Sequence, residues 1–185
     1  GTATSSLLTA AFALVNATSI GVDVRNNIFA NNITGGTTSI ANVAVYLPSG
    51  GTSAMNLTWN NNLYYFGTDA ARQGAGQAGA TAGTNFFTTL PALAAYSGTL
   101  SAAATNDNAS QAFTTAVPYV SATDLHLATS NDLGTPLASV TDDFDNQLRS
   151  ATTPDIGADE IVNAVCSLSL TSAVGTNATE SLYAL

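Results

Sequence analysis

Asp142, Asp143, Asp145 and Asn146 place four oxygen-bearing side chains within five positions. Hard cations such as Ca²⁺ take carboxylate and carbonyl oxygens at short spacing, so this run is the candidate calcium site. It lacks the glycine at the sixth position and the glutamate at the twelfth that an EF-hand loop requires. The alternative is an Asx-rich turn whose carboxylates accept backbone N–H groups. Arg149 follows directly, with Asp155, Gly157 and Glu160 close behind. A guanidinium fork can hold a carboxylate and backbone carbonyls together, which predicts a structural latch; recognition of a ligand carboxylate is the other use of such a fork. Gly157 is expected to supply torsions that a Cβ would forbid. His126, the only histidine, lies between Leu125 and Leu127. Without Cys or His partners it makes a poor zinc site, and no nucleophile stands beside it, so it reads as a surface or hydrogen-bonded structural residue. Trp59 and Tyr65 are the candidate sugar-stacking aromatics, in a stretch where alternation must bury some of Trp59, Tyr64, Tyr65 and Phe66.

These residues need elements to position them. Val22–Phe29 (VDVRNNIF) aligns with Leu57–Tyr64 (LTWNNNLY), 35 residues apart. Both copies read apolar, x, apolar, x, Asn, Asn, aliphatic, aromatic. Asn tolerates left-handed torsions at a sharp bend, and stacked Asn amides can bond to one another. Ala11–Val15 and Ala41–Leu47 are further candidate strands, which gives strand, turn and strand at the spacing of a stacked coil. The competing architecture is an antiparallel sandwich with Asn-Asn turns, although the Asn-Gly hairpin signal is missing. Asp69–Gly83 is rich in Gly, Ala and Gln without periodicity and is predicted to be a surface loop. Thr88 or Thr89 caps a short helix with Pro91 in its first turn, ending near Gly98. Val117–Val120, Asp124–Leu127 and Val165–Val174 read as strands.

Composition narrows the partners. The 185 residues contain no lysine, three arginines and twelve acidic residues, for a net charge of −9. Binding to phosphate or to an anionic lipid surface needs cations, so nucleic acid and membrane surfaces are excluded as expected partners. Charged residues make up 8% of the chain and its polarity comes from Thr, Ser and Asn, which suits stacked β-structure rather than disorder. No apolar run reaches the length of a membrane span, and Ser5–Val15 has neither the basic flank nor the cleavage site of a signal peptide. Cys166 stands alone, so it is either a free thiol or pairs outside this sequence. The sequons at Asn16, Asn32, Asn56, Asn108 and Asn177 are what an Asn- and Thr-rich chain produces by chance. Both ends read as cut, which suggests part of a longer protein.

The runs TDLHLATSNDLGTPL, DDFDNQLR and PDIGADEI carry a resemblance. Over residues 85–161 the chain resembles the C-terminal part of bacterial secreted right-handed parallel β-helix proteins of the choice-of-anchor Q type. The chain departs from that pattern at Asn131, where Pro is usual, and at Asn146, where Gly is usual. The resemblance implies an all-β, right-handed parallel β-helix over residues 1–161, with a short helix and loop insertions. Residues 162–185 would be a linker or the start of a following β domain. It further implies an extracellular, cell-surface location and neighbouring domains of a longer surface protein as partners. A non-catalytic structural or adhesive stalk is the expected function, with glycans or other surface proteins as ligands. Two alternatives stay open: a glycan-binding module, and a fragment of a polysaccharide lyase or hydrolase whose active site lies elsewhere. No cofactor is required beyond the candidate calcium.

Overall fold

A computed structural model describes residues 2–3, 8–35, 42–81 and 84–161. The described residues are β-rich with one short α-helix. In order the elements are β1 (Thr2–Ala3), β2 (Thr9–Ala13), β3 (Asp23–Arg25), β4 (Ile28–Ala30), β5 (Thr34–Gly35), β6 (Asn42–Leu47), β7 (Thr58–Asn60), β8 (Leu63–Tyr65), β9 (Gln73–Ala78), β10 (Phe86–Phe87), α1 (Leu90–Gly98) and β11 (Gln111–Ala112). Strands that are distant in sequence lie side by side. β2, β6 and β9 form one parallel ladder, with Thr9, Asn42 and Gln73 in register. β3 pairs with β7, while β4, β8 and β11 form another parallel ladder. Antiparallel β10 makes the first of these sheets mixed.

The 35-residue spacing is the register of the pairing. Val24 lies beside Trp59 and Phe29 beside Tyr64. At the bend between strands Asn26 and Asn61 take φ of 58° and 52°, and the Asn26 amide donates to the Asn61 carbonyl. The second Asn of each pair builds the side-chain ladder. Fully buried Asn62 accepts from the Asn27 amide at 2.9 Å and donates Nδ2 to the Val24 carbonyl at 3.0 Å. Its own amide donates to Ser110 Oγ at 3.0 Å, extending the ladder one layer further. The strands are too short to hold these corners alone, so amide side chains supply the missing partners of the bent backbone.

Inside, Phe12, Phe29, Trp59 and Tyr64 pack with ring centroids 5.4 to 5.9 Å apart. Their polar handles are satisfied: Trp59 Nε1 donates to the Tyr64 hydroxyl, which donates to Asp107 Oδ1, each at 2.6 Å. Ser97 of α1 donates to Asp107 Oδ2 at 2.8 Å and so ties the helix to this cluster. α1 starts and ends where its sequence signals place it, with Thr89 as N-cap and Pro91 in the first turn.

Two expectations are corrected. Asp69–Gly83 is not an excursion from the body, because its centre is β9, with all six residues buried between β6 and β10. Its lack of large apolar residues is a packing requirement. A Cβ on Gly76 would lie 2.6 Å from Leu93 of α1, and one on Gly74 would lie 2.6 Å from the Phe87 carbonyl. Val117–Val120 and Asp124–Leu127 are not regular strands either. They meet at a single antiparallel bridge, Tyr119 to Leu127, in a loop also closed by the Val120 amide on the His126 carbonyl. Val165–Val174, Cys166 and the proposed linker at 162–185 lie outside the described residues.

Asn62 is the residue on which two layers converge. Asn62→Ala is expected to destabilise the fold by about 1–2 kcal/mol, because it removes the acceptor of the Asn27 amide and the side-chain bond to the Val24 carbonyl. Urea unfolding measures this; a loss under about 0.5 kcal/mol would show that the ladder is not carrying the bend.

Candidate functional site

Residues 124–161 contain little regular structure, yet Asp143, Asp155, Asp159 and Glu160 are all buried there. Each is held by backbone amides. Asp155 Oδ1 accepts from Ser130 Oγ at 3.0 Å and from the amides of Asn131 and Asp132 at 2.5 and 2.8 Å, while Oδ2 accepts from the Ile161 amide at 2.9 Å. Glu160 accepts the amides of Ser150 and Asp155, each at 2.9 Å. Asp143 Oδ1 takes the amides of Asp145 and Gln147, and its Oδ2 takes that of Glu160. Asp159 Oδ2 takes the Leu127 amide at 2.7 Å. A loop buried without sheet partners must place its N–H groups somewhere, and carboxylates are its acceptors here.

Arg149 closes the segment on itself. Its side chain is 8% exposed; it donates to the carbonyls of Gly157 (3.0 Å) and Asp155, and its Nε stands 3.6 Å from Glu160 Oε2. The tie to the strands is made elsewhere, which corrects the expectation that Arg149 fastens the segment to the stack. Asn26 makes it: its side chain donates to the Thr135 carbonyl at 2.7 Å and accepts the Thr135 amide at 2.9 Å, and its carbonyl takes the Gly157 amide at 3.0 Å. Asn61 adds a 3.4 Å bond from Nδ2 to the Leu133 carbonyl. The repeated Asn pair was the available signal; its first member fastens the latch and its second builds the ladder. Gly157, at φ 122°, sits where a Cβ would come 2.9 Å from Ile28.

Asn146 and Asn131, where the resemblance leads to Gly and Pro, each have a structural role. Asn146 adopts φ 64°, the left-handed torsion for which Gly is otherwise favoured. Asn131 does what Pro could not. Its amide donates to Asp155, its Oδ1 accepts from the amides of Leu133 and Ile156, and its Nδ2 donates to the Ile156 carbonyl.

The expected calcium set does not converge. Asp142 is exposed in a bridge with Leu148, Asp143 spends both oxygens on backbone amides, and Asp145 turns to His126. Burial raises the affinity of Asp143 for a proton, but the amides of Gln147, Glu160 and Asp145 and the charge of Arg149 outweigh it and hold its pKa below the usual value. Trp59 cannot face a glycan. It is 1% exposed in the aromatic core, at the position the repeat aligns with Val24, whereas Tyr65 is half-buried.

His126 is bracketed by carboxylates. Asp124 meets Nδ1 and also accepts the His126 amide; Asp145 Oδ2 lies 2.7 Å from Nε2. Phe144 packs on the ring at 4.8 Å. Hydrogen bonds that the ring donates to Asp124 first, then to Asp145, push the imidazole pKa up to about 9. Sequence reasoning missed this pairing because Asp145 lies 19 residues away.

Among the described residues no helix is long and apolar enough to cross a membrane. Compared with protein-family models, curated proteins and solved structures, the chain matches none.

Two outcomes test the latch. Arg149→Lys keeps the charge but not the three-way fork, and is expected to cost about 2 kcal/mol in chemical denaturation; an unchanged midpoint would remove Arg149 from the latch. The single histidine gives one clean NMR titration, with a midpoint near pH 9. Asp124→Asn should move that midpoint toward the ordinary value of about 6.5. Because the folded pKa is raised, the stability His126 contributes is complete below about pH 6.5 and is lost as the pH rises through about 9. A midpoint near 6.5 in the parent protein would mean that the carboxylates do not bracket the ring in solution.

Proposed function

We propose that the chain is the C-terminal region of a right-handed parallel β-helix from a secreted bacterial surface protein of the choice-of-anchor Q type. It serves there as a non-catalytic structural or adhesive module. The β-helix reading is supported by parallel ladders that recur in the same order along the chain, with Asn at equivalent corners. Right-handedness follows from the strong preference of parallel crossover connections. The extracellular, cell-surface location and the neighbouring domains rest on the resemblance of the closing motifs.

One observation carries the non-catalytic reading: the polar groups that chemistry would need are committed to structure. All three arginines face carboxylates, Arg25 with Asp23 at 2.5 Å, Arg72 with Asp69 at 3.5 Å and Arg149 with Glu160. A lyase of uronic-acid polymers needs cations to neutralise the substrate carboxylate, and a hydrolase needs two facing carboxyl groups open to substrate. The buried carboxylates of the latch are bonded to backbone amides instead. A glycan-binding role loses its central residue with the burial of Trp59.

Incubation with polygalacturonate, alginate and xylan is expected to release no new reducing ends or unsaturated products above a buffer control. Turnover that one carboxylate substitution in this chain abolishes would overturn the reading.

A further inference from the structure

We propose that His126, Asp145 and Asp159 form a binding site for a divalent first-row transition ion, with Zn²⁺ as the representative, that locks the three closing motifs together. Each motif contributes one ligand: His126 comes from the TDLHL run, Asp145 from DDFDNQLR and Asp159 from PDIGADEI. One ligand atom from each lies within 4.8 Å of the others.

The geometry goes beyond a gathering of acidic groups. Asp124 holds Nδ1 of the imidazole and fixes the ring plane by also accepting the His126 amide, which aims Nε2 at Asp145. A carboxylate behind one nitrogen and an ion at the other is the arrangement by which metal-bound histidines are oriented. The two carboxylates are also positioned in advance. Asp159 is 5% exposed and anchored by the Leu127 amide, and the Asp145 backbone is set by its bond to Asp143 Oδ1. The ligand set is one imidazole nitrogen and two carboxylate oxygens, which suits Zn²⁺ with water in the remaining position. Ca²⁺ is disfavoured because it calls for six to eight oxygens. Water has access, since the side chains of His126 and Asp145 are 41% and 39% exposed.

Zn–N and Zn–O bonds of about 2.0–2.2 Å place tetrahedral ligands roughly 3.3 Å apart. The Nε2-to-Asp145 contact of 2.7 Å therefore opens slightly, and the ion replaces the proton between them. Asp124 is a positioning residue and is not itself a ligand.

The test uses the full chain carrying Cys166→Ser, so that the thiol cannot supply a competing ligand. Calorimetric titration with Zn²⁺ is expected to give one saturable site per chain, with a raised Tm and shifted His126 ring resonances. His126→Gln and Asp145→Asn should each weaken binding at least about tenfold, and Asp124→Asn by about tenfold. Asp142→Asn, in the same acidic run, should leave binding unchanged. Ca²⁺ at equal concentration should not raise Tm. Absence of a saturable site would overturn the proposal. So would parental affinity in both His126→Gln and Asp145→Asn, or an equal Tm response to Ca²⁺. Asp145→Asn keeps the fold testable, because its side chain holds no buried amide.

Discussion

Backbone N–H groups buried outside regular structure must find acceptors, and the closing half of this protein is organised around that need. An unpaired buried amide costs about as much as several surface interactions contribute, so a loop of nearly forty residues with few ladder bonds survives only if its amides are collected. Asp155 collects three, with the Ser130 hydroxyl as a fourth donor, and these bind the segment at 130–132 to that at 161. Glu160 and Asp143 do the same across other gaps, and Asp143 reaches the Glu160 amide, so the carboxylates also hold one another's backbones. One arginine suffices because amide dipoles, rather than opposite charges, stabilise most of these carboxylates. This explains how a chain with a net charge of −9 and three cations can bury four carboxylates in one segment.

The stacked half solves the same problem with neutral amides. Asn62 serves two layers at once, and Asn26 links the stack to the latch, so the two halves meet at a residue that belongs to both accounting schemes. The corner torsion and the side-chain bond are coupled. A glycine at Asn26 would give the torsion without the bond, and a glutamine would give an amide without the same tolerance of positive φ.

How much of this was legible depended on the kind of signal. The pairing of Val22–Phe29 with Leu57–Tyr64 was readable because each copy keeps its apolar alternation, and the helix at Leu90 because cap and proline are local. β9 was not readable. A strand hemmed in by α1 and β10 must be built of Gly, Ala and Gln, and small residues carry no hydrophobic periodicity. Trp59 could have been placed correctly, since the repeat set it opposite Val24, an apolar inward position. The destinations of Asp145, Asp159 and Asn26 depend on contacts 19, 32 and 109 residues away and leave no local trace.

Asp143 and Asp107 show why the same residue type behaves differently in the two halves. Both are buried, and burial alone would raise the pKa of each. Asp143 receives three backbone amides and lies near Arg149, and its pKa ends below the ordinary value. Asp107 sits among the hydroxyls of Tyr64, Ser110 and Ser97, which do not fully offset its desolvation, and its pKa ends above. An amide is a donor only, aligned by the peptide plane. A hydroxyl can rotate and serve as acceptor as well, so it tolerates either protonation state. The amides around Asp143 therefore favour its ionised form, while the surroundings of Asp107 favour the protonated form relative to an exposed carboxylate. Asp107 loses favour as the pH rises through its raised pKa, and Asp143 loses its contribution as the pH falls through its lowered one. The two effects fall in separate pH windows, that of Asp143 below the ordinary carboxylate value and that of Asp107 above it, so neither cancels the other.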